Sequence, residues 1–127
     1  MKFISTKRPI VECTIGGKPA AFLLDTGASV AFIDRGFINE YALAEGKKYH
    51  GKVMGAGGEM RGVRYCNSFV TLPNGREVAQ FLLADISAVR ASIKEETGID
   101  IVGIISWPQM SFAGITISDN LWKHNHS

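Results

Sequence analysis

Apolar and polar positions alternate in short bursts along this chain. Glycine, proline, asparagine and aspartate punctuate the bursts, the pattern of many short strands joined by tight turns. Ile10 to Ile15 predicts a strand, Gly16-Gly17 a two-residue hairpin turn, and Pro19 to Leu24 the returning strand, which delivers Asp25 to its end. Val30 to Ile33 predicts another short strand. Asp34 can cap a helix running to about Leu43, with Phe37, Ile38, Tyr41 and Ala42 on one face. Tyr49 to Met54 and Glu59 to Cys66 flank Gly55-Ala56-Gly57-Gly58, a second hairpin with a glycine-rich tip.

Phe69 to Leu72 and Arg76 to Ala84 predict the next two strands, with Pro73-Asn74-Gly75 as the turn between them. Ser87 to Thr97 predicts a helix capped by Ser87 and stopped by Gly98. Ile99 to Ile105 is a nearly unbroken apolar run, hence a strand buried on both faces. Phe112 to Ile117 predicts the last strand. The sum is a mostly β chain with two or three short helices. Strands this short are stable only within a larger assembly, and a small, partly closed β-barrel is the architecture the pattern favours.

Composition narrows the classes. A length of 127 residues predicts one domain, spanning residues 1–127, with room for a real core. The apolar share of 46% and charged share of 20% suit a globular protein, and a formal charge of +2 is too weak to argue for nucleic acid or a membrane surface. No run is apolar enough to span a bilayer, and the basic start Met1-Lys2-Phe3-Ile4 lacks the apolar stretch and cleavage site of a signal peptide, so a cytoplasmic protein is expected. Cys13 and Cys66 sit in separate strand patterns and predict two buried free thiols. His124, His126 and the lone His50 make no ligand set, so neither a metal nor a cofactor is expected.

The candidate chemistry centres on Leu23-Leu24-Asp25-Thr26-Gly27-Ala28-Ser29. A strand running into an acid is costly unless the carboxyl is paired or shares a proton. A bare Asp-Thr-Gly is most simply a capped turn, with Gly27 supplying a positive φ. Two leucines before it and small residues after it favour something more specific. The stretch resembles the active-site loop of retropepsin-like aspartic proteases. So does the order of elements: hairpin, acidic loop, glycine-tipped hairpin, helix, buried apolar strand, final strand. The likeness runs from about Ile10 to Leu121 and is nearest to the bacterial retropepsin-like group.

That resemblance implies an aspartic endopeptidase. Peptide hydrolysis by this route needs one carboxylate as base for water and one carboxylic acid for the carbonyl. Two touching carboxyls share a proton and titrate as a unit. The chain holds a single Asp-Thr-Gly, and Asp34, Asp85, Asp100 and Asp119 lack its context. The resemblance therefore implies a homodimer contributing Asp25 twice, with Thr26 bracing the loop and Gly27 keeping the backbone close. Ala28 and Ser29 would line the substrate site. Met54, Gly55, Ala56, Gly57 and Gly58 would form a mobile flap over a bound peptide or protein substrate. Leu23, Ile104 and Ile105 would supply apolar surface.

Two registers compete behind the loop. Either Ile101-Val102-Gly103 is the family's apolar pair and glycine, or Ile104-Ile105 is the pair and Ser106 stands in the glycine's place. In the second, Trp107-Pro108-Gln109-Met110 occupies a normally acidic, helix-forming stretch. Ser106 and Trp107-Pro108 motivate an alternative function, a catalytically inactive member of the fold that binds peptides or serves as an assembly module. Other sites are poorly formed. Gly27-Ala28-Ser29-Val30-Ala31 lacks the second glycine of a nucleophile elbow. Met60 stands where a dinucleotide loop starting at Gly55 needs its last glycine. Trp107 and Trp122 are expected in the core or an interface.

Overall fold

A computed structural model describes residues 2–55 and 58–115. The elements are β1 (Ile10–Ile15), β2 (Lys18–Asp25), β3 (Ala31–Asp34), β4 (Glu45–Lys48), β5 (Met54–Gly55), β6 (Gly58–Glu59), β7 (Arg64–Cys66), β8 (Val70–Thr71), β9 (Glu77–Val78), β10 (Phe81–Ala84), α1 (Ser87–Thr97), β11 (Gly103–Ser106) and α2 (Trp107–Phe112). Nine strands form one sheet in the order β4-β7-β10-β3-β11-β2-β1-β8-β9, while β5 and β6 pair only with each other. The sheet curls into the expected half-barrel.

β1 and β2 make the longest ladder, from Ile10 opposite Leu23 to Ile15 opposite Lys18. Gly16 and Gly17 turn the chain with φ of 57° and 82°, the left-handed pair that a tight hairpin requires. Alternation along β2 sorts its side chains into two cores. Ala20, Phe22 and Leu24 join the main cluster with Val11, Cys13 and Ile105. Leu23 faces the other way, into a second cluster with Ile10, Ile86, Ile93, Ile101 and Ile104. Both cysteines are buried free thiols, and burial pushes the Cys13 thiol up to about 12.

β11 decides the layout of the site. It lies between β2, which it parallels, and β3, which it opposes. A Cβ at Gly103 would lie 2.3 Å from the Phe32 carbonyl oxygen and 2.6 Å from the Phe22 ring, so only glycine allows the strand to enter this slot. Its register sets Ile104 beside Leu23, Ile105 beside Leu24 and Ser106 beside Asp25. Of the two registers open in the sequence, this is the one with Ile104-Ile105 as the pair and Ser106 in the glycine's place.

Several expected boundaries move. The helix after Asp34 is a 3-10 turn at Arg35–Phe37, because Gly36 weakens it and Ala42 reverses the chain with φ 49°. The strand expected from Arg76 to Ala84 breaks at Gln80, which adopts φ 67°. The glycine-tipped hairpin is short, and Arg64–Cys66 leaves it to pair with β4 and β10. α1 covers the expected residues and ends at Gly98 in the left-handed conformation. Its start is held by Asp85, whose carboxylate lies below the usual carboxylate range chiefly through a hydrogen bond with the Ser87 side chain and also by accepting the Ser87 amide at 3.0 Å. Phe112 ends α2 and begins no strand, and Thr116 and Ile117 lie outside the described residues. No helix among the described residues is long and apolar enough to cross a membrane.

Candidate active site

Asp25 is the last residue of β2, an interior strand between β11 and β1, and is half-buried at that strand's end. The Gly27 amide donates to Asp25 Oδ1 at 3.0 Å, and the Ala28 amide donates to the Asp25 carbonyl at 3.1 Å. The loop is thus a tight turn that holds its own acid in place. Gly27 adopts no positive φ, contrary to the simplest expectation, and a Cβ there would sit 3.4 Å from Asp25 Oδ1. Its use is to bring an amide to the carboxylate. Two longer-range bonds fix the loop from outside: Leu24 donates to the Pro9 carbonyl at 2.9 Å, and Trp107 donates to the Ala28 carbonyl at 3.0 Å.

Thr26, Gly27 and Ser29 are exposed, and Ala28 is half-buried. Ala28 packs on the apolar wall formed by Leu23 and Ile104, with Phe32, Met60 and Val89 against the same cluster. The structure separates the two isoleucines proposed for substrate contact. Ile104 belongs to this wall, whereas Ile105 points to the opposite face and is fully buried in the main core, as strand alternation dictates. Phe32, Met60, Ile86 just before α1 and Val89 within it were not assigned to the site from the sequence. Their apolar character was visible, but their meeting with Leu23 depends on where α1 folds back.

Met54 is 70% exposed at the base of the β5–β6 hairpin. Gly55 opposes Gly58, which takes φ 108°, and Met60 donates its amide to the Val53 carbonyl at 2.8 Å. Ala56 and Gly57, the tip of the expected flap, lie outside the described residues. The hairpin faces the start of α1 across a cavity of about 400 Å³ lined by Gly55, Met60, Arg61, Asp85 and Val89. On the other side of the loop, Ser29 and Val30 open onto a cavity of about 610 Å³ bounded by Tyr49, Tyr65, Phe69 and Pro108.

Arg8 is a cation coupled to Asp25. Its guanidinium pairs with Glu96 at 3.0 Å, which raises its pKa, and Asp25 adds a weaker attraction. No cluster of three histidine, cysteine or acidic residues suited to a metal occurs among the described residues, and His124 and His126 lie outside them. Trp107, expected in a core or an interface, is 48% exposed in this single chain.

The structure thus combines a strand-borne Asp-Thr-Gly turn, a strand inserted behind it and a helix following at once. Residues 11–107 match the family described as aspartyl protease, and the chain belongs to that family. Among solved structures, an EIAV protease complexed with the inhibitor HBY-793 superposes with a TM-score of 0.65 at 23% identity, covering 93% of this chain and 99% of that one. That likeness shows the fold, and the chain is a retropepsin-like aspartic protease by family and architecture. No curated protein sequence matches it significantly.

Proposed function

We propose that two copies of this chain form a homodimeric endopeptidase, with Asp25 of each contributing to one catalytic dyad. The observation that carries this reading is the setting of Asp25 at the half-buried end of β2. A carboxylate is held by its own turn beside an apolar wall, and the chain has only one Asp-Thr-Gly to offer. In the dimer the two carboxyls share one proton. The ionised one takes a proton from water as the water attacks the peptide carbonyl, and the protonated one gives its proton to the carbonyl oxygen. The carboxyl that took the proton from water passes it to the amide nitrogen, the other carboxylate takes a hydroxyl proton of the tetrahedral intermediate, and the C–N bond breaks to give acid and amine with the dyad again sharing one proton. Thr26 braces the paired loops, Ala28 and Ile104 contact apolar substrate side chains, and the Met54–Gly58 hairpin closes over the peptide and excludes water.

Cleavage of a mixed peptide library in mild acid tests this. The wild-type chain is expected to cut the library, and Asp25→Asn to abolish cutting while the protein stays folded. Sedimentation should show dimer at tens of micromolar, a rough working range for weak association. Unchanged activity in Asp25→Asn defeats the mechanism. A folded dimer that binds peptide without cutting it favours the inactive, peptide-binding reading, which Ser106 and the exposed Trp107 motivate.

A further inference from the structure

The segment after β11 departs from the family pattern, and a side-chain network at its start connects through the backbone to the loop that carries Asp25. We infer that Gln109 is a positioning residue for Asp25, acting through Ser106 and Trp107; this rests on the endopeptidase reading above.

Gln109 is 8% exposed and Ser106 2%, so both are polar groups that burial penalises unless satisfied. Gln109 is satisfied on both sides of its amide. Its Oε1 accepts from the Ser106 amide at 3.1 Å and from the Ser106 hydroxyl at 3.2 Å. Its Nε2 donates to the Ala79 carbonyl at 2.6 Å, with the Gln80 carbonyl at 3.5 Å. One side chain therefore joins the end of β11 to the kink between β9 and β10, where Gln80 is held at φ 67°.

The consequence reaches Asp25 by backbone. Ser106 lies beside Asp25 in the β11–β2 register, and it is also the cap at which strand turns into helix α2 without a loop. Fixing Ser106 fixes the next amide, Trp107, which donates to Ala28. Ala28 in turn donates to the Asp25 carbonyl, and Gly27 between them donates to the carboxylate. Each bond is ordinary, but the chain is continuous. Without Gln109 the α2 start is free to shift, and the Ala28 anchor shifts with it. A catalytic dyad tolerates little of this, since a displacement near 1 Å can cost about a hundredfold in rate.

Gln109→Leu keeps the volume and removes both sides of the amide. It should lower kcat at least tenfold with KM within about twofold of wild type, because the wall that binds substrate is untouched. Gln109→Glu supplies the same acceptor and, when protonated in mild acid, a donor for Ala79; it should restore most of kcat there. Exchange of the Trp107 amide provides a readout that needs no activity, and it should speed at least tenfold in Gln109→Leu and return toward wild type in Gln109→Glu. If Gln109→Leu does not fold, Ser106→Ala serves for the same exchange measurement, with a smaller acceleration expected because the Ser106 amide still reaches Oε1. Equal kcat in wild type and folded Gln109→Leu, a loss confined to KM, or unaltered Trp107 exchange overturns the inference. A wild-type protein that cuts nothing defeats the endopeptidase reading instead, and the exchange result then decides the positioning link alone.

Discussion

Asp25 and Asp34 share one local design and meet opposite fates. Each ends a strand of the same sheet, each has glycine two residues on, and each accepts that glycine's amide on Oδ1, at 3.0 Å from Gly27 and 3.4 Å from Gly36. The difference lies at the second oxygen. Asp34 is 3% exposed, and its Oδ2 takes Arg90 Nη1 at 2.6 Å. Arg90 also holds Asp100 with two nitrogens and lies over the Phe37 ring at 4.4 Å. Asp25 is half-buried and forms no ion pair among the described residues. Asp-x-Gly builds the turn, whereas long-range folding decides whether the acid is neutralised or left without an ion pair. The arginine that neutralises Asp34 arrives from α1, 56 residues away.

The contrast breaks most severely at Arg90. Arg90→Met leaves the Asp34 carboxylate buried without a cation, and should cost about 3–5 kcal/mol, the range for removing one partner of a buried pair. Urea unfolding measures it, and Asp34→Asn in the same protein should recover part of the loss. Asp25→Asn, by comparison, should change stability by no more than about 1 kcal/mol, because no buried partner is stranded.

Gly103→Ala comes next. The slot between β2 and β3 is bounded by the Phe32 backbone, which has little freedom to yield. Overpacking of this kind costs about 1–3 kcal/mol and occasionally more. Because β11 carries Ile104 and Ser106 into the site, turnover should fall along with the unfolding midpoint. A variant as stable and as active as wild type would show that β11 can be displaced without cost to Asp25.

The smallest effect is expected where charge is exposed. Arg8 holds the Glu96 carboxyl below the usual carboxylate range, chiefly by a side-chain hydrogen bond. Its pairing contributes stability that is complete above the ordinary value of 4.5 and is lost as pH falls through the lower folded-state value. Glu96→Gln should therefore lower Tm slightly near neutral pH, as exposed pairs contribute little, and match wild type in acid, so that the fall of Tm with acid is a little flatter.

Much of the fold was legible because it rests on local signals. Gly16-Gly17 set the first hairpin, Gly98 ended α1, and the run into Asp25 announced a strand that stops at an acid. The helix expected after Asp34 stops at one turn because Gly36 weakens it and Ala42 reverses the chain, and the pairing of Asp34 with Arg90 is a tertiary contact invisible to any local window. The role of Ile105 was lost to a parity question: adjacent strand residues face opposite sides, and only the β11–β2 register says which side is which. Gln109 did carry a local signal, since serine followed three residues later by glutamine is the spacing of a capping box. Its long reach to Ala79 was not readable, because β9 is too short to announce where it ends.

The central claim is that Asp25 is one half of a dyad shared between two chains. Mixing wild-type protein with folded Asp25→Asn at constant total concentration, after subunit exchange, tests it most directly. If both carboxyls of a dimer are required, activity falls as the square of the wild-type fraction, to about one quarter in an equal mixture. A linear fall, to about one half in the equal mixture, would mean that each chain works alone and would contradict the account.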